Sequence, residues 1–279
     1  MPRFSLIVAT IDRNEELAGL LQSLSTQMFR DFELIVVDQN PDDRLAALLQ
    51  GWSANETIKL QHLRCGPGVS SARNLGIAQS SGEILAFPDD DCWYQADTLR
   101  NVDDWFRKHP KYDVLSLGCR DNQGRISSNS WWQKECDIQW LNAFRTTAAL
   151  CFFVKRTSEC IPLRFDEQLG PGSGTLAGCG EDTDFVMTLL EYGLRGRFFS
   201  KWHIGHPRRE GGFRDEERAR RYGGGFGRVL AKHSCRSLFA GFVAFDFSRA
   251  IVQRLFGHPK RANQLWAHGR GIVEAFFAD

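Results

Sequence analysis

The sequence has no glycine-rich phosphate loop. Gly66, Pro67 and Gly68 are not followed by Gly-Lys-Ser/Thr, and no GxGxxG follows the first strand-like run. A P-loop nucleotide hydrolase and a nicotinamide or flavin enzyme therefore have little support. None of the 8 cysteines falls in a CxxC or CxxxC pair. A zinc site is not indicated, and the scattered thiols read as mostly buried groups of a reducing cytosol. An uninterrupted apolar stretch of about 20 residues is also missing, so no transmembrane helix is expected. Met1-Pro2-Arg3 passes directly into a strand-like run with no cleavable leader pattern, so no signal peptide is expected. Low-complexity tracts and internal repeats are missing as well. With 42% hydrophobic and 25% charged residues over a length of 279, the composition is that of a globular chain with one large α/β core and a short appendage.

The net charge of +1 hides a division: residues 1–194 carry 18 Lys/Arg against 27 Asp/Glu, and residues 195–279 carry 17 against 7. Such a basic tail can face anionic lipid, nucleic acid or the acidic part of its own protein. Without an accompanying nucleic-acid motif, the arginines around Arg218, Arg220 and Arg221 do not indicate a nucleic-acid partner.

Residues 4–10 (FSLIVAT) form a short apolar run that reads as a strand. Leu17, Leu20, Leu21 and Leu24 then repeat at helical spacing. Asp12 with Glu15 resembles a capping box, which predicts that this helix begins there. Residues 32–38 (FELIVVD) read as a second strand, 43–52 as a helix, 58–64 as a third strand, 69–78 as a helix and 83–87 as a fourth strand. Alternation of this kind predicts a mostly parallel, doubly wound sheet, with ligands beyond the carboxyl ends of its strands. Further on come a helix over 96–108, apolar runs at 112–118 and 148–154 on either side of a Trp-rich polar stretch, a glycine-rich loop at 170–180, a helix over 182–192, a last strand over 197–204 and a helical remainder.

Four clusters carry chemistry. Asp89, Asp90 and Asp91 follow the fourth strand directly, and like charges placed together call for a compensating cation. Oxygen ligands suit Mg²⁺ or Mn²⁺, although a solvated acidic turn has the same appearance. Glu181 and Asp182 lie where the glycine-rich loop enters a helix; a carboxylate there can be a general base or a plain helix cap. His203 and His206 end the last strand, and either imidazole can ligate a metal. Arg73 and Asn74 sit on the helix that leads into the acidic strand, where an arginine can grip a phosphate with two hydrogen bonds.

Taken in order, these residues resemble the glycosyltransferase family 2 pattern over roughly residues 4–210. The resemblance implies a GT-A fold: a doubly wound, mostly parallel sheet with flanking helices and a C-terminal helical tail. It divides the chain into a catalytic domain (1–207) and a basic helical extension (208–279). By the same resemblance, Thr10, Arg13, Asp38, Arg73, Asn74, Asp89 and Asp90 bind a nucleotide sugar. Asp89, Asp91 and His206 hold Mn²⁺ or Mg²⁺, with His203 as the fallback, and Asp182 with Glu181 supplies the catalytic base. The pattern departs from many members at Pro88, where they have a hydrophobic residue, and at Cys92, where they have another Asp. The implied reaction is inverting transfer of a sugar from a nucleoside diphosphate to the hydroxyl of a glycan or lipid-linked glycan, in bacterial cell-surface or exopolysaccharide assembly. The implied location is the cytoplasm, including the inner face of the membrane. Two other readings compete: a nucleotidyltransferase, which would carry a glycine-rich loop where Thr10-Ile11-Asp12-Arg13 stands, and an inactive nucleotide- or glycan-binding module, which would have lost Glu181-Asp182. Residues 237–257 are strongly apolar but interrupted by Asp246, Arg249 and Arg254. That helix can lie in a membrane interface, cover the catalytic domain or form a dimer contact.

Overall fold

The structure, a computed structural model, describes residues 1–55, 58–127, 134–157, 161–208 and 213–278. The Trp-rich stretch around Trp131 and Trp132, and Cys160, lie outside the described residues. The elements in chain order are β1 (Phe4–Thr10), α1 (Glu15–Ser25), β2 (Phe32–Asp38), α2 (Ala46–Asn55), β3 (Leu60–Arg64), α3 (Val69–Gln79), β4 (Ile84–Ala86), α4 (Thr98–Lys108), β5 (Val114–Arg120), β6 (Cys136–Asp137), α5 (Ala143–Thr146), β7 (Phe152–Lys155), α6 (Glu181–Glu191), β8 (Gly196–Gly205), α7 (Glu216–Lys232), α8 (Arg236–Leu255) and α9 (Pro259–Phe276). The chain forms two compact units. The first comprises residues 1–67, 71–164 and 185–209; the second comprises 68–70, 165–184 and 210–279. The loop at 165–184 thus belongs with the helical C-terminal segment.

All strands lie in the first unit, in one sheet of order β3-β2-β1-β4-β7-β5-β8-β6. β3, β2, β1 and β4 are parallel neighbours, as are β5 and β8. β7 runs antiparallel between β4 and β5, and β6 antiparallel against β8. The sheet is therefore mostly parallel, as the alternation of strands and helices predicts. β1 and β2 read as unbroken apolar runs because both faces of the sheet are covered. On one face Phe4, Leu6, Val8, Leu34 and Val36 join the leucines of α1 and Leu99, Val102, Trp105 and Phe106 of α4 in a single core. On the other, Gly76 of α3 lies so close to β1 that a Cβ on it would come within 2.3 Å of Ile7 Cγ2. Phe185 of α6 stacks on Phe152 with ring centroids 5.7 Å apart.

The expected capping box does not form. Asp12 turns with φ 58°, a left-handed conformation that Asp tolerates better than most residues. Its backbone N–H donates to Asn40 Oδ1 at 2.8 Å, and Asn14 takes the N-cap position of α1. Among the described cysteines Cys92, Cys119 and Cys151 are buried and the others are half-buried. Cys92 lies within the apolar core, which accounts for a thiol where an additional Asp occurs in the resembling pattern.

β2 carries an unexpected buried carboxylate. Glu33 is 1% exposed; it accepts from Ser5 Oγ at 2.7 Å and from the Ser81 N–H and hydroxyl at 2.6 and 2.9 Å. Burial alone would raise its pKa, but the bonds from Ser81 and Ser5 outweigh it and hold the carboxyl below its usual 4.5. Glu33→Ala is expected to cost about 2–4 kcal/mol in denaturant unfolding, because it orphans several buried donors. Since the folded pKa is lowered, the advantage of wild type over Glu33→Gln should be full above pH 4.5 and shrink as the pH falls below it.

Candidate active site

Parallel register places Thr10 and Asp38 side by side at the ends of β1 and β2. β4 ends beside β1, and the chain continues through Phe87 and Pro88 into the three aspartates. The Cys92 N–H donates to the Asp89 carbonyl at 3.1 Å and closes a turn. Trp93 and Gly205 then exchange two backbone hydrogen bonds of 2.9 Å each, which fastens this turn to the end of β8. Only glycine fits at 205, because a Cβ there would lie 2.0 Å from the Trp93 indole. β8 reaches this point through a bulge: Leu117 pairs with Phe199 and the next residue, Gly118, pairs with His203. Ser200, Lys201 and Trp202 are the extra residues, and bulges of this kind re-aim side chains at functional edges.

His206 Nε2 consequently lies 3.3 Å from Asp91 Oδ1. Arg13 bridges Asp90 Oδ1 at 2.8 Å and Asp91 Oδ2 at 2.5 Å. Thr10 Oγ1 donates to Asp90 Oδ2 at 2.8 Å, and the buried Arg73 meets Asp89 Oδ1 at 3.3 Å. Burial pushes the Asp90 carboxyl up to about 6, more than Thr10 and Arg13 offset. Burial would also raise Asp91, but the hydrogen bond and charge of His206, with those of Arg13, outweigh it and hold Asp91 well below the usual carboxylate range. The same pairing raises His206 despite its burial, whereas His203 is lowered by burial and by Arg120.

Asp89, Asp91 and His206 each offer one ligand atom, and the three atoms lie within 4.8 Å of one another. Two carboxylate oxygens and an imidazole nitrogen form a donor set that fits a divalent cation. Asp90 points instead to Thr10 and Arg13. Asp38 is fully buried, and its carboxylate accepts from the Asn40 backbone and amide at 2.8 and 2.7 Å and meets His62 Nε2 at 3.1 Å. The motifs single out neither residue: Asn40, two residues after a strand-end aspartate, carries a turn signal, whereas His62 lies 24 residues away on β3 and carries none. Asn74 is half-buried beside Arg73 on α3.

Glu181 and Asp182 belong to the second unit. Gly170 (φ 93°) and Gly180 (φ 96°) have left-handed backbone, which favours glycine. Glu181 is buried against Gly170, where a Cβ would come within 2.8 Å of its carboxyl carbon, and Asp182 is half-buried. Two residues on, Asp184 is 1% exposed and meets His233 Nε2 and Lys232 Nζ, each at 2.9 Å. Lys232 also reaches Asp166 at 3.0 Å. Asp184, His233 and Lys232 escape a motif reading because the partners lie 48 and 49 residues apart in sequence.

The family model described as Glycosyl transferase family 2 matches residues 5–161. Poly(ribitol-phosphate) beta-N-acetylglucosaminyltransferase TarS of Staphylococcus aureus is 30% identical over 149 residues, 51% of this chain and 26% of TarS. GalNAc(5)-diNAcBac-PP-undecaprenol beta-1,3-glucosyltransferase of Campylobacter jejuni is 36% identical over 95 residues, 33% of this chain and 30% of that protein. The chain thus spans under a third of the length of these curated relatives. The crystal structure of S. aureus TarS 1-349 in complex with UDP-GlcNAc superposes with a TM-score of 0.63 at 19% identity, covering 98% of this chain and 91% of that one. The mannosyltransferase PcManGT from Pyrobaculum calidifontis, in complex with GDP-Man and Mn²⁺, gives a TM-score of 0.66 at 16% identity, covering 98% and 87%. Both likenesses are of fold.

Calorimetric titration with Mn²⁺ is expected to show binding that Asp91→Ala abolishes and His206→Ala weakens at least about tenfold, with His203→Ala unchanged. Affinity should rise from about pH 6 to about pH 8, because His206 must lose a proton that Asp91 helps to hold before it can ligate.

Proposed function

Because the chain belongs to glycosyl transferase family 2, we propose that it is an inverting glycosyltransferase that moves a sugar from a nucleoside diphosphate donor to an acceptor hydroxyl. The observation that carries this reading is the convergence of Asp89, Asp91 and His206 with two buried or half-buried arginines at the carboxyl end of a parallel sheet. In this reading those three residues hold the cation, and the imidazole nitrogen among oxygen donors favours Mn²⁺ over Mg²⁺. A bound divalent cation supplies positive charge to the leaving diphosphate. Arg13 and Arg73 add guanidinium charge to the same diphosphate, while Asp90, gripped by Thr10 and Arg13, fixes the turn that presents its neighbours. Asp38 orders the Asn40 turn at the nucleoside end. Asp182, seconded by Glu181, takes the acceptor proton; the freed oxygen attacks the anomeric carbon as its bond to the diphosphate breaks, which inverts that centre.

The names of the relatives, one specifying poly(ribitol-phosphate) and the other a glycan linked to PP-undecaprenol, support an acceptor in bacterial cell-surface glycan assembly. The reading also places the chain in the cytoplasm, peripheral on the inner membrane face. No described helix is long and apolar enough to cross a membrane. On α8, however, Phe245, Ile251, Val252 and Leu255 are exposed, and Phe256 follows at 75% exposure. Arg236, Arg254, Lys260 and Arg261 flank this apolar stripe, and the one acid of α8, Asp246, is buried against His268. An apolar stripe with a cationic rim complements an anionic bilayer, each cation contributing about 1 kcal/mol near the surface.

With Mn²⁺ present, a screen of nucleotide sugars should reveal donor hydrolysis by the wild type. Asp182→Asn should lower turnover about a hundredfold or more with donor affinity nearly unchanged; an equal loss of donor binding would move Asp182 out of the base role. Separately, the protein should sediment with phosphatidylglycerol vesicles at low salt and be released at high salt. Leu255→Ser with Phe256→Ser should abolish sedimentation while sparing donor hydrolysis, and failure to sediment at low salt would refute the membrane contact.

A further inference from the structure

The second unit contains a cavity of about 410 Å³ between the glycine-rich loop and the start of α7. Gly172 and Gly178 form one wall, and Arg214, Arg218, Arg221 and Tyr222 the other. A neighbouring cavity of about 390 Å³ shares Arg221 and extends along Thr175 to Arg220. Arg218 Nη2 donates to Tyr222 Oη at 2.9 Å, and its guanidinium lies 5.1 Å from the ring centroid, so Tyr222 fixes its direction. Arg221 accepts the Gly178 N–H on its carbonyl at 3.0 Å and lays its stem along that glycine, where a Cβ would come within 3.1 Å. Among the described residues the guanidinium groups of Arg214 and Arg221 have no carboxylate partner. Two acids share the lining, Asp215 and Glu217, but Asp215 is engaged as the cap of α7, accepting the Arg218 N–H at 2.7 Å. Arg220, by contrast, is paired with Glu274 at 2.7 Å.

Three guanidinium groups line this concavity against the two carboxylates of Asp215 and Glu217, which leaves it a net positive charge that favours an anion. Their planar forks match phosphate oxygens two at a time. Gly178 stands three residues before Glu181, so the chain alone keeps this wall within about 11 Å of the Glu181-Asp182 pair. We propose that the Arg214–Arg218–Arg221 cavity binds a phosphate or diphosphate group of the acceptor. This assignment rests on the glycosyl-transfer reading, in which Glu181-Asp182 meets the acceptor; the anion site itself does not.

The test is calorimetric titration of the full chain with inorganic diphosphate in EDTA, where the cation site is empty. Wild type should bind, and Arg214→Gln with Arg221→Gln should lose at least about tenfold in affinity while keeping its melting temperature and, with Mn²⁺ restored, its affinity for UDP. Lysine at both positions should restore part of the loss. Unchanged diphosphate affinity in the double glutamine variant would overturn the proposal. Phosphatidylglycerol vesicles separate a lipid headgroup from an acceptor phosphate: the double variant should sediment with them like wild type, and loss of that sedimentation would overturn the acceptor assignment. Diphosphate binding is read without turnover. A chain that hydrolyses no nucleotide sugar yet binds diphosphate through these arginines would refute the transfer reading and retain the anion site.

Discussion

Asp89, Asp90 and Asp91 put three negative charges on adjacent residues, and at an effective dielectric of 20 two unit charges 4 Å apart repel by about 4 kcal/mol. The first unit is organised so that this repulsion is answered. Arg13 arrives from the end of β1, Arg73 from α3 and His206 from the end of β8. The answer is uneven, and the unevenness separates the roles. Asp90 is buried and drawn toward its neutral form, while Asp91 is kept ionised by His206 and Arg13. A cation added to this edge would take over work that Arg13 and His206 do in its absence.

How much of this is visible without coordinates differs from element to element. β1 and β2 are legible because strands covered on both faces become continuous apolar runs, and the acidic cluster is legible because it follows such a strand directly. The direction of β7 is not: Phe152–Lys155 has the same pattern whether it runs with its neighbours or against them. The resemblance names His206 ahead of His203, but the physical reason, the bulge at Ser200, Lys201 and Trp202 that shifts the pairing, leaves no compositional mark. The cap assigned to Asp12 failed because an Asx side chain serves a tight turn as readily as a helix end, and Asn40 rewards the turn.

The second unit hides its logic more fully. Gly223, Gly224, Gly225 and Gly227 would each cost about 1 kcal/mol relative to alanine in an ordinary helix. They are kept because α7 is gripped from two sides. A Cβ at Gly223 or Gly227 would come within 2.0 or 2.2 Å of carbonyl oxygens in α9, and one at Gly224 or Gly225 within 2.5 or 2.1 Å of the carbonyls of Leu176 and Cys179. Backbone therefore packs on backbone, and the loop leading to Glu181-Asp182 rests directly on a helix spine. The Asp184, His233 and Lys232 bonds pin the far end of that spine to the first turn of α6.

A helix packed this way constrains the lineage that carries it. Where large side chains interlock, a change in one can be absorbed by a compensating change in its partner, so sequences drift while shape persists. Where the contact is made by main chain on both flanks, no partner side chain exists to compensate. The stretch from Gly223 to Gly227 is thus closed to gradual substitution on those faces.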